Sequence, residues 1–438
     1  MNVYNLISFC GMILLMLVAW LVSSQRKRIN WRIVVCGSLL QILFAMFLFL
    51  VPAGLKAFLL VNDIVLKVLD SASAGTQFVF GRLALPPGAE NSEGETSLGF
   101  ILAFQALPSI VFFSALMSVF YFCGIMQFII RGFSWAFARL MNISGAESLC
   151  AASNIFVGVE SALVIKPYLG KMTKSELCTV LTVGMATIAS NVLAFYVFCL
   201  KDIFPNIAGH LVSATILSAP ASLVMAKLIM PETDHPETLG ETVKPHYEKE
   251  NSLFEAIING ANTGMKLIFG IVALLLAILG LVSLLDMILG WGGGKINLIT
   301  GFSIDWTLKG LLGYLFYPFT LALGVPPSDA TIISRIIGER TVLTEVAAYK
   351  DLATALASGA IHEPRSALIA TYALCGFAHV ASLAIFVGGT TALVPERAKD
   401  LVLVALRALI AATLACLMTG CVAGLFPLSE TILLGTGK

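Results

Sequence analysis

The sequence predicts an all-α polytopic membrane protein: eight transmembrane helices plus two oppositely oriented re-entrant helical hairpins and interfacial helices, arranged as an inverted repeat. Three observations lead there. The 438 residues are 58% hydrophobic and 12% charged, with mean hydropathy +0.92, against roughly 45–50% apolar and about 25% charged for a soluble domain. Eight apolar stretches reach the ~20 residues a helix needs to cross about 30 Å of hydrocarbon. Two heptads, "GMATIAS" (184–190) and "GFAHVAS" (376–382), align as Gly, apolar, Ala, Thr187 or His379, β-branched, Ala, Ser190 or Ser382. The formal charge of +1 and the lack of a long basic run give no electrostatic reason for a nucleic-acid partner.

The crossings are expected near 5–24, 33–53, 99–124, 177–200, 207–230, 264–290, 367–390 and 400–426. Arg26, Lys27, Arg28 and Arg32 follow the first run and no basic residue precedes it. The positive-inside rule therefore predicts a cytoplasmic 25–32 loop, both termini outside, and the polar 231–251 stretch in the cytoplasm. His235 and His246 fall in that stretch and are expected to be solvated. Residues 55–70 and 126–141 mix charge with apolar residues at helical spacing, the pattern of helices lying flat at an interface. Residues 144–169 and 310–349 each read as two half-length apolar pieces around a polar or glycine-containing break, a pattern that fits a re-entrant hairpin. The expected organisation is scaffold (1–143), first repeat (144–230), linker and scaffold helix (231–309) and second repeat (310–438).

Each hairpin carries a glutamate, Glu160 or Glu345. A carboxylate inside a membrane costs a few kcal/mol or more, so it must face a cavity or a partner. The structural alternative pairs it with a cation such as Lys166 or Arg340. With the paired heptads and opposed hairpins, these acids are expected to sit where two halves of a secondary transporter enclose its cargo. Asn154 and Thr187 supply neutral oxygen donors of the kind a hard alkali cation takes; helix-capping roles are their alternative.

At these residues the chain resembles the concentrative nucleoside transporter family over nearly its whole length. The most specific pieces are "NIFVGVESALVIKPYLGKMTKSEL" (154–177), "GMATIASNVLAFY" (184–196), "SDATIISRIIGERTVLTEVAAY" (328–349) and "YALCGFAHVASLAIFVGG" (372–389). The resemblance implies sodium-coupled, or in some members proton-coupled, nucleoside import across the cell inner membrane by a homotrimer. It implies sodium ligands at Asn154, the Val157 carbonyl, Thr187 and the Ile188 carbonyl. It implies substrate contacts at Glu160, at Glu345 and Ser382 for the ribose, and at the apolar Val192 and Phe377.

Two departures stand out. The family's Gly-Gln-Thr/Ser-Glu is here Gly158-Val159-Glu160, one residue shorter and without the base-reading glutamine; His379 stands where the family has a ribose-binding asparagine. Asn191 is the expected replacement amide, and His379 is expected to reshape the sugar pocket or make transport pH-sensitive. The departures keep a runner-up open, a same-fold carrier of a modified nucleoside, nucleobase or other polyhydroxylated solute.

An intramembrane enzyme and a channel are the readings from other classes. The chain has no His-Glu-x-x-His or Gly-x-Ser-x-Gly motif. "GWGGGKIN" (290–297) lacks the first glycine and the Ser or Thr of a phosphate loop. No enzyme activity is expected, and concentrative uptake would separate a carrier from a channel.

Overall fold

A computed structural model describes residues 3–90, 94–158, 161–247 and 250–426. Helices α1 (Val3–Leu21) and α2 (Trp31–Leu50) are the first two crossings. The predicted interfacial segment 55–70 extends into a 29-residue helix, α3 (Pro52–Phe80). Pro52 presets the first helical φ, and nothing stops the helix before Gly81 at φ +53°. The third crossing is the short α4 (Leu102–Gln105) followed by α5 (Ser109–Phe122), and α6 (Ile125–Met141) is the second predicted interfacial helix.

The first repeat starts where expected. Ser144 caps α7 (Gly145–Asn154) in a reciprocal pair with Glu147, which satisfies two of the amides a helix start leaves open. The return arm is two short turns, α8 (Ser161–Val164) and α9 (Lys166–Leu169). The predicted crossing 177–200 is two helices, α10 (Lys174–Ala186) and α11 (Ser190–Leu200), and α12 (Ile207–Ile229) is buried along nearly all of its length.

Helix α13 (Leu253–Thr300) far exceeds the predicted 264–290 crossing. It runs 48 residues, about 72 Å at 1.5 Å per residue, more than twice the hydrocarbon thickness. The glycines of "GWGGGKIN" lie inside it, with Lys295 stacked over Trp291 at 3.7 Å. Gly260 and Gly264 fit it against α5: a Cβ on Gly260 would lie 2.7 Å from Ser114 O, and one on Gly264 2.7 Å from Val111 Cα. Small residues four apart let membrane helices approach this closely.

The second hairpin needs correction. The span 310–349 holds three segments, α14 (Leu308–Ala322), α15 (Pro327–Arg340) and the first turn of α16 (Glu345–Ala357). Gly324 at φ +87° and Pro326 turn α14 into α15, and residues 341–344 turn α15 into α16. The hairpin that carries Glu345 is therefore α15 with α16, and the expected boundary at 310 falls inside α14. Helix α15 packs against both α14 and α16, so two consecutive breaks look alike in sequence; the position of Glu345 at the start of α16 identifies the one that belongs to its hairpin.

The predicted crossing 367–390 is likewise broken, into α17 (Pro364–Leu374) and α18 (Val380–Leu393), and α19 (Ala398–Gly424) closes the chain. Seven helical stretches among the described residues are long and apolar enough to span a membrane; the eighth predicted crossing is this broken pair. Helices α10, α12, α17 and α19 pack together as the buried centre. Apolar side chains such as Leu6, Leu43, Phe269 and Leu284 remain exposed on α1, α2 and α13, as lipid-facing surfaces do.

Loop 231–251 is not a free solvated segment. Gly145 N–H donates to Thr238 O at 2.8 Å and His246 N–H to Val164 O at 2.9 Å, so the loop straps both arms of the first hairpin. His235 is exposed, whereas His246 is half-buried and lines a cavity.

Candidate functional site

Both heptads lie where a helix breaks and restarts. In the first, α10 ends at Ala186, Thr187 turns to extended backbone, and α11 restarts at Ser190. In the second, α17 ends at Leu374, before the heptad begins, and α18 restarts at Val380, so in the heptad alignment the second break starts about four residues earlier and ends about two residues earlier than the first. The breaks cross each other closely. Gly376 has φ +146°, and a Cβ there would lie 2.7 Å from Ala186 O and 2.7 Å from Cys416 Sγ.

Against this crossing lies a cavity of about 120 Å³. Glu345, Thr344, His379, Ser382, Phe377, Val192 and Asn191 line it, so the second-half site residues and the 191–192 pair meet at one place. Gly158 lines it too; Val159 and Glu160, which follow, lie outside the described residues. Leu267, Ile271, Leu274 and Leu275 of α13 supply an apolar wall.

Glu345 is the first residue of α16, where the helix dipole favours a negative charge. It is 4% exposed. Its Oε1 accepts a hydrogen bond from the Tyr196 hydroxyl at 2.6 Å, and His379 Nε2 lies 2.9 Å from its Oε2. A carboxylate oxygen accepts more than one hydrogen bond, so Oε2 keeps capacity for a ligand hydroxyl beside His379. Arg340 makes no ion pair with Glu345: the acid's partners are a phenol and an imidazole.

His379 is the N-cap of α18. Its Nδ1 accepts the Ser382 amide at 3.2 Å, and its own amide donates to Ser382 Oγ at 3.3 Å. With Nδ1 an acceptor, the neutral ring carries its proton on Nε2, facing Glu345. Both ring nitrogens are thus engaged within the protein. The Ser382 hydroxyl donates to the Phe377 and His379 carbonyls. Asn191 spans two cavities, donating from Nδ2 to Ser114 Oγ at 3.2 Å. The second cavity, about 590 Å³, runs from Asn191 past Phe156, Tyr121 and Gln127 to His246 and Tyr247 of the strap.

The oxygen-donor corner forms around the first break. Asn154, the last residue of α7, is fully buried; its Nδ2 donates to Cys150 O at 3.0 Å while its Oδ1 has no donor. Thr187 donates its hydroxyl to Val183 O at 2.9 Å, keeping its lone pairs free. The Ser190 amide donates to Phe156 O at 3.1 Å, which fastens the hairpin carrying Val157 to the break carrying Thr187 and Ile188. A buried oxygen left without a partner costs about 1–3 kcal/mol, and a hard cation among neutral oxygens relieves that cost. The side-chain bonds of Asn154 and Thr187 within their own helices are the capping-type roles, and they coexist with the donor set because they use the amide and hydroxyl hydrogens.

Tyr196 and its stacking partner Tyr349, at 4.7 Å between ring centres, were not singled out from the sequence. A signal was present for Tyr196: it lies four residues after Val192, on the same helical face.

An all-helical membrane fold with two broken crossings, two hairpins and one buried carboxylate cavity is that of an inverted-repeat secondary transporter. Residues 210–424 match the "Na+ dependent nucleoside transporter C-terminus", residues 10–83 the corresponding N-terminus, and residues 103–202 "Nucleoside recognition". Solute carrier family 28 member 3 of Mus musculus is 37% identical over 98% of this chain, which spans 59% of that longer protein. Nucleoside permease NupC of Helicobacter pylori is 36% identical over 96% of this chain and 98% of its own length. The structure of CNTnw in an inward-facing substrate-bound state has a TM-score of 0.86 at 35% identity, covering 96% of this chain and 97% of that one. The chain belongs to the concentrative nucleoside transporter family.

Proposed function

We propose that this protein is a sodium-coupled symporter that imports nucleosides across the cell inner membrane by alternating access. The observation that carries the reading is Glu345, buried in the cavity wall, with Oε1 held by Tyr196 and Oε2 facing His379; a carboxylate oxygen can accept a further hydrogen bond from a sugar hydroxyl. A charged acceptor discriminates strongly for a ligand that brings hydroxyl donors. In this reading Ser382 completes the ribose contact, and His379 orients Glu345, since its two nitrogens are already engaged. Val192 and Phe377 flank the base and Asn191 contacts its polar edge; Val159 and Glu160, outside the described residues, are the remaining expected substrate contacts. Asn154, the Val157 carbonyl, Thr187 and the Ile188 carbonyl hold sodium. Because Ser190 ties the hairpin to the break, an occupied cation site steadies the wall on which nucleoside lands, and by linkage each ligand raises the affinity for the other.

The larger cavity that meets the first at Asn191 is the route toward the side of the 231–251 strap. The exposed apolar face of α13 suits a homotrimeric scaffold, to be tested by native mass spectrometry. Both termini are expected outside, with the strap in the cytoplasm.

Radiolabelled uridine and adenosine uptake into proteoliposomes, with and without an inward sodium gradient, tests the reading. Sodium-driven accumulation above the outside concentration is expected; equilibration without accumulation would end it. Proton coupling is the second reading, favoured by the imidazole against Glu345. Uptake that follows a proton gradient and ignores sodium would replace sodium by that route. Competition by ribose, free base and intact nucleoside tests the alternative cargo that the absent hairpin glutamine suggests.

A further inference from the structure

The cation corner of the first repeat has a counterpart in the second. Asn154 is the last residue of α7, and Arg340 is the last residue of α15. The helix that restarts after each break ties back beside that residue. Ser190, first of α11, donates its amide to Phe156 O at 3.1 Å; Val380, first of α18, donates its amide to Thr341 O at 3.2 Å. Where one repeat presents a carboxamide oxygen without a donor, the other presents a guanidinium.

Arg340 is fully buried. Its Nη1 donates to Ala373 O at 3.0 Å, in the last turn of α17. Its Nε and Nη2 have no hydrogen-bond partner, and no carboxylate among the described residues forms an ion pair with it. A buried ion without a counter-ion costs several kcal/mol, so the surroundings must themselves be negative. Helices α15 and α17 both end here. The neighbouring Cys416 thiol, in contact with Arg340, lies 3.3 Å from Cys375 O and 3.8 Å from Ala186 O, which brings the end of α10 alongside. Each helix C-terminus carries roughly half a negative charge. Converging helix ends and unwound carbonyls are also where transporters bind a mobile cation.

We infer that Arg340 is a fixed cation filling the second repeat's equivalent of the coupling-ion position. Only the first repeat then exchanges a mobile cation, and each cycle moves one positive charge per neutral nucleoside. The inference rests on the symport reading above.

Reversal-potential measurement on wild-type proteoliposomes, balancing a uridine gradient against cation and voltage gradients, counts the charges moved. One charge per uridine is expected, and two overturn the inference. Sodium activation of uptake then tests the residue, because the Hill coefficient is bounded by the number of coupled sites. Arg340→Lys should keep the wild-type coefficient of about 1, whereas Arg340→Gln, which trades the charge for an oxygen, should become sigmoidal, approaching about 2, and need more sodium. Wild-type sodium activation in Arg340→Gln, or loss of transport at every sodium concentration in both variants, makes Arg340 structural and overturns the inference. Absence of any cation-driven nucleoside uptake in the wild type sinks the symport reading instead. In that case the sodium dependence of the melting temperature still counts sites: an additional sodium site in Arg340→Gln upholds the inference, and no additional site refutes it.

Discussion

At the residue scale, the proposed chemistry rests on one carboxylate, Glu345, and one carboxamide oxygen, that of Asn154. Glu345→Gln keeps the shape but removes the charge that Tyr196 and His379 hold in place. A hydrogen bond to a charged group contributes about 1.5–3 kcal/mol, so the KM for uridine should rise about 10- to 100-fold, measured by concentration-dependent uptake. Asn154→Ala removes an oxygen that has no donor within the protein. It also removes the buried Nδ2 bond to Cys150 O, so it should lower the melting temperature modestly without sodium while raising the sodium concentration for half-maximal uptake about tenfold, the equivalent of ~1.4 kcal/mol. An unchanged sodium dependence would remove Asn154 from the ligand set. These residues were legible because polar groups in apolar sequence must have a reason to be there. Tyr196 was not, since a phenol in a membrane helix is unremarkable until the carboxylate it meets, far along the chain, is known.

At the element scale, the two broken helices show how sequence and packing divide the work. The heptads marked the places, but neither break follows from local propensity alone. Residues 187–189 contain no glycine or proline; the helix stops there with the hairpin claiming the Ser190 amide and Gly376 packed against the Ala186 carbonyl. Two glycines should therefore respond differently to alanine. Gly376→Ala meets both a φ that L residues rarely adopt and fixed backbone at Ala186; a cost of about 1–3 kcal/mol should lower the melting temperature in detergent. Gly184→Ala would push on the ring of Phe386, which lines the Glu345 cavity. It should raise KM with a smaller loss of stability, and equal destabilisation by both variants would contradict the crossing geometry. The second hairpin differs from expectation by one helix for a related reason: α14, α15 and α16 are all short segments joined by breaks, and α15 packs on both of its neighbours.

At the scale of the whole molecule, the cavity depends on keeping two repeats and a scaffold together. Lys227, 4% exposed on α12, lies 2.5 Å from Glu147 at the start of the first hairpin and 3.3 Å from Glu232 in the strap. Lys227→Met strands Glu147, which is 1% exposed, and removing one partner of a buried pair costs about 3–5 kcal/mol. Thermal unfolding should show a marked loss of stability that Lys227→Met with Glu147→Gln largely recovers; no recovery in the double variant would show that the lysine acts through packing alone.

Composition and hydropathy by themselves determined a helical membrane protein, because apolar runs of spanning length have few other stable outcomes in water or lipid. The heptads and the two hairpin acids pointed to an inverted-repeat transporter, the longer motifs around them to the family, and together they named the polar residues Glu345, His379, Ser382 and Asn191 that line the cavity, since a polar group in an apolar stretch needs a partner or a role. Only the tertiary structure decided that the Glu345 hairpin is α15 with α16, that α13 runs 48 residues, that both His379 nitrogens are engaged, and that Arg340 is fully buried at the end of α15. Each of these depends on contacts between segments distant in sequence, where packing and hydrogen-bond satisfaction, not local pattern, choose the arrangement.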